Sequence, residues 1–407
     1  MNLRIPLFTL ALVLTLALSP PSAPAEQFTQ GLGNLTYAGN NPVTGQIEGA
    51  SPQIYQRTDG SWMMILQQNG FFWGCNAGDD KLGVLTTNAN PPVGGWRFAE
   101  GTAAASRIGN CDNNSTWGAG GVVSRTLSSG ATGPYYLLVD RGIVPDPNAN
   151  PDAEKHYIYV WESDDGRNWR DEKLLIDASA AGVFGNGQLV LYSAPFVISQ
   201  SFNKALPQAM RVGFFFSTAP DGNQNPISNI GYGYIDILNW GNGGPSTYNV
   251  KLLASDGTYK TVPANGQVGF DIGMVLPLGA NNRMVSYSEI VDRSTREGRL
   301  WVRRQYQTPG TFCCLNADPG NWVSRVDVYD FTWKTNGELD VLGSSSPVTE
   351  NLPGFCNPRE ERYGVNFPAV WPPERTMNGQ RLAFVNFDYS CNHQNWGPFR
   401  IRALKVQ

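Results

Sequence analysis

Acidic side chains beside hydrophobic segments are the main candidates for chemistry in this sequence. Glu48 and Asp271 lie among small and apolar residues, where an acid is costly unless it has a function. Asp140, Glu289 and Asp388 follow three other apolar segments at comparable points. Two carboxyl groups in different surroundings can divide the roles of general acid and general base. We therefore take Glu48, Asp271 and Glu289 as catalytic candidates, while a local ion pair with the following arginine is the alternative role for Asp140.

Five similar units predict the scaffold that positions these acids. Each unit opens with a small residue or proline before a hydrophobic strand, and the units begin near residues 50, 119, 193, 271 and 366. One residue near the start of each unit serves as its anchor in the alignment: Pro52, Gly121, Pro195, Gly273 and Pro368. Successive anchors are 69, 74, 78 and 95 positions apart. A second and a third apolar strand follow each anchor, and a fourth strand fits units one to four. In unit four the second strand is predicted at 284–287. The pattern predicts an all-β chain with a single five-bladed β-propeller.

One domain is predicted for residues 26–407, because no long linker-like segment interrupts them. The fifth unit lacks a fourth strand, and the segment 28–37 precedes the first unit. We expect this segment to pair with the last blade and close the ring, since an open ring would leave unpaired strand edges. A pair of β-sandwiches is the alternative architecture that composition allows, and the five anchors argue against it.

Composition excludes several classes of protein. The 407 residues include 45 glycines and 28 prolines, and only 16% are charged while 12% are aromatic. This balance disfavours helical bundles, which need charged surfaces, and disorder, which needs few aromatic residues. The 30 Lys and Arg residues are outnumbered by 34 Asp and Glu residues, for a net charge of −4. Nucleic acid is therefore not an expected partner.

The first 25 residues are predicted to be a secretory signal peptide. Arg4 supplies a positive charge, residues 7–18 form an apolar stretch, and residues 23–25 read Ala-Pro-Ala. We expect cleavage before Glu26 and a secreted or periplasmic protein without a membrane span. A membrane anchor is the alternative, but the apolar stretch is short for a span.

Six cysteines suit an exported protein and predict disulfides. Cys75 with Cys111 is the preferred pair, while Cys313 and Cys314 each have Cys356, Cys391 or a more distant cysteine as a partner. Zinc bound through thiolates is the alternative. It is disfavoured because the sequence has no CxxC and only two histidines, His156 and His393.

A short turn sequence gives the first likeness to known proteins. Residues 163–169 read SDDGRNW, which resembles the Asp-box turn of propeller glycoside hydrolases. Together with SPQIYQRTDGSWMMIL at 51–66 and GPYYLLVDRG at 133–142, the chain resembles the five-bladed superfamily of arabinanases, β-xylosidases and invertase-like enzymes. This resemblance implies hydrolysis of glycosidic bonds on a propeller scaffold.

The catalytic acids of that superfamily are not matched in this sequence. The superfamily has acids at the starts of inner strands one and three and a glutamate at inner strand four, where this chain has Ser51, Ala194 and Ile272. None of these three side chains can transfer a proton. Two functions remain open: a divergent glycoside hydrolase that uses another carboxylate pair, or a propeller that binds carbohydrate without cleaving it. A hydrolase needs two carboxyls about 5–5.5 Å apart for retention or roughly 6.5–9.5 Å apart for inversion.

Sugar recognition adds binding candidates. Aromatic rings stack on the apolar face of a sugar, while amide, carboxylate and guanidinium groups bond its hydroxyls. The substrate-binding candidates chosen on this basis are Trp117, Asp140, Arg362, Asn366, Trp371 and Asp388. For each tryptophan, packing between blades is the alternative. We expect no required cofactor, although oxygen ligands for a structural Ca²⁺ in the channel are abundant, and we expect a monomer.

Overall fold

The computed structural model describes residues 27–38, 45–76, 78–112, 115–126, 132–143, 155–177, 189–201, 208–219, 229–239, 245–277, 285–307, 322–351, 366–370, 381–388 and 399–407. Over these ranges the chain forms strands, turns and bends and contains no helix. Accordingly, no helix in the described part of the chain could span a membrane. The strands form five sheets, which are the five blades of a β-propeller.

Blades one to three follow the chain in order. Blade one contains β2 (Ala50–Gln56), β3 (Trp62–Asn69), β4 (Asp80–Thr87) and β5 (Arg97–Phe98), with β6 (Arg107–Ile108) beside β4. Blade two contains β7 (Ser115–Thr126), β8 (Thr132–Ile143), β9 (Lys155–Ser163) and β10 (Arg170–Ile176). Blade three contains β11 (Leu189–Gln200), β12 (Gln208–Ala219), β13 (Asn229–Asn239), β14 (Thr247–Leu253) and β15 (Tyr259–Thr261), with β16 (Leu276–Pro277) beside β13.

Blades four and five complete the ring. Blade four contains β17 (Val285–Asp292), β18 (Glu297–Gln307), β19 (Trp322–Trp333) and β20 (Leu339–Pro347). Blade five has the order β22 (Asn366–Val370), β23 (Arg381–Asp388), β24 (Phe399–Val406), β1 (Gln27–Asn34) and β21 (Thr349–Asn351). The first strands β2, β7, β11, β17 and β22 contact one another in that order, and β22 contacts β2. These five strands therefore surround the propeller axis.

Both faces of each blade are buried, which explains the continuous apolar runs. In β3, Trp62, Met64 and Leu66 pack toward blade five, while Met63 and Ile65 pack toward blade two. Successive side chains of a strand point to opposite faces, so an unbroken apolar run fills the cores on both sides of a blade. Five apolar clusters of this kind lie between neighbouring blades, one at each interface.

The N-terminal strand closes the ring, as the sequence predicted. β1 pairs antiparallel with β24, with Phe28 opposite Val406. Backbone hydrogen bonds join Gln27 N to Gln407 O at 2.9 Å and Gln407 N to Gln27 O at 3.0 Å. β1 thus supplies the fourth strand that the last blade lacks.

Blade four differs from the prediction by one strand. Its innermost strand is β17, which the sequence analysis placed second in the blade, whereas the predicted first segment 271–275 belongs to a connection between blades. Ile272 forms an isolated bridge with Ala254 and packs into the core between blades two and three. The apolar pattern was misleading here because β17 carries polar groups with specific partners. Ser288 donates to the Ala194 carbonyl at 2.9 Å, for example.

The Asp-box-like turn has a structural role, as expected. The Asp165 carboxylate accepts hydrogen bonds from the backbone N–H of Arg167 at 2.8 Å and of Asn168 at 2.9 Å. Burial opposes the charge of Asp165, but these bonds outweigh it and lower its pKa to about 2. Gly166 takes a φ of 73°, a left-handed conformation that glycine adopts without steric cost. The turn joins β9 to β10.

The preferred disulfide is also confirmed. Cys75 and Cys111 are bonded, with their Cα atoms 5.3 Å apart. This bond joins the β3–β4 loop to the segment that precedes β7. The other four cysteines and the predicted signal peptide lie outside the described residues.

Candidate functional site

One end of the propeller collects most of the described site candidates. We call it the start face: the innermost strands begin there, the second strands end there and the third strands begin there. Glu48 precedes β2, Asp140 lies near the end of β8, and Asp388 is the last residue of β23. Asn366 is the first residue of β22. The opposite end, where the β2–β3 and β17–β18 hairpins turn, is the hairpin face.

A carboxylate and an imidazole are paired at the start face of blade two. His156 Nδ1 lies 3.1 and 3.3 Å from the two carboxylate oxygens of Asp140. Asp140 on β8 is 3% exposed and lies opposite Gly118 on β7, while His156 on β9 lies opposite Gly142 on β8. Antiparallel pairing therefore places both side chains on the same face of the blade. A buried carboxylate in this position fixes the orientation of the imidazole ring.

Glu48 lies at the same end of blade one. Its backbone carbonyl accepts a hydrogen bond from Gln68 Nε2 at 3.0 Å. The pKa of Tyr37 is raised well above its usual value, chiefly by burial and also by the charge of Glu48. Just beyond Glu48, Ser51 is 2% exposed and has a φ of 48°. This left-handed backbone is strained for a non-glycine residue, above all before Pro52, and strain of this kind concentrates at functional sites.

A charged cluster lies next to this region, between blades one and two. Lys81 is fully buried and donates from Nζ to the Asp112 carbonyl at 2.8 Å, to the Asp112 carboxylate at 3.2 Å and to the Ser115 carbonyl. Arg141 pairs with Asp112 and, at 2.8 Å, with Glu172. Burial opposes the charge of Asp112, but the Ser115 hydroxyl and the two cations outweigh it and lower its pKa. Burial raises the pKa of Glu172 despite Arg141. Both cations are thus held by partners within the protein, and they share Asp112.

Trp117 does not line the mouth of the channel, contrary to expectation. It is 2% exposed, and its Nε1 donates to the Ser115 hydroxyl at 2.8 Å. The Arg141 guanidinium lies 4.7 Å from the centre of one face of the ring, and Trp161 packs at 5.7 Å. The indole therefore belongs to the core between blades one and two, the alternative that the sequence analysis gave for tryptophan.

Asp271 lies away from the axis. It is part of the connection after blade three, and its backbone carbonyl accepts a hydrogen bond from Ser255 N at 2.8 Å. Ser255 follows β14, the fourth strand of the blade counted from the axis. The prediction that Asp271 borders the axis is wrong, because it depended on the displaced first strand of blade four.

Glu289 lies on an innermost strand but is engaged in an ion pair. It is 2% exposed, and its Oε1 lies 2.8 Å from Arg381 Nη2 and 3.9 Å from Arg299 Nη1. Arg381 begins β23 at the hairpin end of blade five. The apolar pattern predicts Glu289 at the end of a second strand, whereas it is a buried counter-ion between blades four and five.

The remaining candidates are only partly described. Arg362, Trp371 and His393 lie outside the described residues, and Asn366 and Asp388 are described as strand positions, opposite Asn386 and Phe399. In the described part of the chain, no group of three or more His, Cys, Asp and Glu side chains could hold a metal ion. His156 was not a candidate in the sequence analysis. Pairing the predicted second and third strands of unit two would have placed it near Asp140.

Comparison with known proteins gives only distant likenesses. No protein-family model and no curated protein matches the chain. A GH43 β-1,3-galactosidase solved with galactodeoxynojirimycin is 11% identical, with a TM-score of 0.44 over 92% of this chain and 95% of that one. The Cellvibrio cellulosa α-L-arabinanase solved with arabinohexaose is 10% identical, with a TM-score of 0.44 over 89% and 93%. A protein described as a glycosidase from Bacteroides thetaiotaomicron is 8% identical, with a TM-score of 0.47 over 93% and 96%. The structural neighbours thus include the kind of enzyme that the sequence resembles.

Proposed function

We propose that this chain is a secreted glycoside hydrolase that cleaves an oligosaccharide or polysaccharide at the start face of the propeller. The observation that carries the proposal is the Asp140–His156 pair, a buried carboxylate bonded to an imidazole at the mouth of blade two. Asp271 and Glu289 do not lie at the start face. We therefore assign the catalytic roles to Asp140, His156 and Glu48.

The proposed chemistry divides proton transfer between two groups. Hydrolysis requires one group to protonate the leaving oxygen and another to activate water or to attack the sugar. Asp140 would orient His156 through Nδ1, so that Nε2 is the nitrogen that exchanges a proton with the substrate. Glu48 would supply the second group from blade one. A positioned acid or base of this kind contributes about 10²–10⁴-fold to the rate.

Secretion and a monomeric state belong to the same proposal. The disulfide between Cys75 and Cys111 suits an oxidising compartment outside the cytoplasm. The five interblade cores are formed within one chain. The signal-like sequence before Glu26 supplies the route of export.

The experiment is a hydrolysis screen with a matched pair of variants. The mature protein is incubated with plant and bacterial polysaccharides, and released reducing sugar is measured for wild type, Asp140→Asn and Asp330→Asn. Asp330 is a suitable control because its carboxylate is 64% exposed and lies far along β19, away from the start face. We expect activity in wild type and Asp330→Asn and its loss in folded Asp140→Asn. Full activity in Asp140→Asn would refute the proposed site.

The alternative is a propeller that binds carbohydrate without cleaving it. It is favoured by Ser51 and Ala194, which occupy two positions where the resemblance calls for acids. In that case the screen would release no sugar, while the same polysaccharides would retard wild type in affinity electrophoresis. This result would replace the hydrolase with the binding function.

A further inference from the structure

An exposed aromatic side chain lies at the start face of blade one. Phe71 is 64% exposed and lies between β3 and β4. The other large hydrophobic side chains found exposed among the described residues are aliphatic: Leu32, Met274 and Val341. At this exposure the phenyl ring offers an apolar face to a ligand.

The backbone around Phe71 is firmly held. Asn69 Oδ1 accepts from Phe71 N at 3.0 Å, and Asn69 Nδ2 donates to the Gly78 carbonyl at 2.6 Å. Gly74 N donates to the Phe71 carbonyl at 3.1 Å. Two residues on, Trp73 is completely buried, and the disulfide of Cys75 follows. The loop therefore holds the Phe71 backbone in a fixed position, which lowers the entropy lost on binding a ligand.

Hydrogen-bonding side chains surround the base of the same loop. Gln68 lies between the loop and Glu48, because its Nε2 donates to the Glu48 carbonyl and its Oε1 accepts from Asn69 N at 2.8 Å. Gln67 Nε2 donates to Asp80 at 2.9 Å. An aromatic face next to amides and carboxylates suits a sugar, whose ring has an apolar C–H face and a rim of hydroxyls.

We propose that Phe71 is a stacking platform for one sugar unit of the substrate chain, in a subsite next to Glu48. The occupant is a carbohydrate segment beyond the bond that is cleaved, so the inference deepens the proposed function and rests on it. A platform of this kind binds the polymer and takes no part in proton transfer. Its loss should therefore raise KM on polysaccharide and leave kcat unchanged.

The test compares Phe71→Ala, Phe71→Tyr and Val341→Ala with wild type. Val341 is a matched control because it is 55% exposed and lies on blade four. We expect Phe71→Ala to raise KM on polysaccharide and to weaken retardation in polysaccharide gels about tenfold, equal to about 1.4 kcal/mol. Phe71→Tyr retains an aromatic face and should stay close to wild type, as should Val341→Ala. Melting temperatures should be alike because the altered side chains are exposed.

Gel retardation separates failure of the platform from failure of the hydrolase. If wild type cleaves polysaccharide and Phe71→Ala has the same KM and the same retardation, the platform is overturned and the hydrolase stands. If wild type cleaves nothing but its retardation is lost in Phe71→Ala, the hydrolase fails and the platform stands. If wild type neither cleaves nor binds any polysaccharide, the platform is overturned as well, and a protein partner becomes the alternative role for Phe71.

Discussion

Replacing Lys81 with methionine should destabilise the propeller strongly. The Lys81 side chain is 0% exposed, and its ammonium group is bonded to two backbone carbonyls and the Asp112 carboxylate. Removing one member of a buried, hydrogen-bonded ion pair costs about 3–5 kcal/mol, because its partners stay buried without compensation. Asp112 is 34% exposed and keeps Arg141, which lowers the cost. We therefore expect a loss of about 3 kcal/mol in the free energy of unfolding.

The assay is equilibrium denaturation in guanidinium chloride with the disulfide intact. Lys334→Met is the matched control, since Lys334 is 51% exposed and its pair with Glu338 spans 3.3 Å. An exposed pair of this kind contributes at most about 1 kcal/mol, so the control should unfold close to wild type. If Lys81→Met also unfolds within about 0.5 kcal/mol of wild type, the reasoning about buried charge is wrong.

Three further predictions concern stability and assembly. The folded-state pKa of Asp165 is lowered from 3.8 to about 2, so the carboxylate contributes fully to stability above about pH 4, and this contribution is lost as the pH falls through about 2. Asp165→Asn should therefore lower the free energy of unfolding by about 1 kcal/mol at pH 7, allowing for the exposure of the side chain. In acid denaturation the difference from wild type should vanish near pH 2. An added Cβ at Gly83 would overlap the buried Trp73 ring, whereas Gly269 has open space around it. In thermal unfolding, Gly83→Ala should therefore lower stability by about 1–3 kcal/mol, and Gly269→Ala should leave it unchanged. Equal melting temperatures for the two variants would contradict this packing. Deleting residues 26–34 exposes the edge of β24, so the truncated protein should aggregate in size-exclusion chromatography, and a stable monomer would show that closure by β1 is dispensable.

The five-fold repeat was predictable because it depends on local pattern. Apolar runs such as 62–66 are required wherever a blade buries both faces, so their number and spacing indicate the number of blades. The first strand of blade four could not be predicted in this way. In β17, Ser288 is bonded to a carbonyl of blade three and Glu289 to an arginine of blade five, contacts that a local sequence pattern cannot contain.

The site was less predictable than the fold because it depends on register. Sequence position placed Glu48, Asp140 and Asp388 at the start face, since strand ends are visible as breaks in the apolar pattern. Asp271 was misplaced together with its strand. The pairing of Asp140 with His156 depends on the alignment of β8 with β9, in which Gly142 faces His156. The register of these two strands could be predicted only once the ends of both strands were known.

We propose that chemistry takes place at the start face around Asp140, His156 and Glu48. The most direct measurement is kcat/KM on the best polysaccharide for Asp140→Asn, Glu48→Gln and Asp271→Asn, each checked for folding by its melting temperature. We expect the first two to lose about 10²-fold or more, in line with the loss of proton transfer or of the group that orients it, and Asp271→Asn to stay near wild type. A folded Asp140→Asn with full activity beside an inactive Asp271→Asn would contradict a site at the start face.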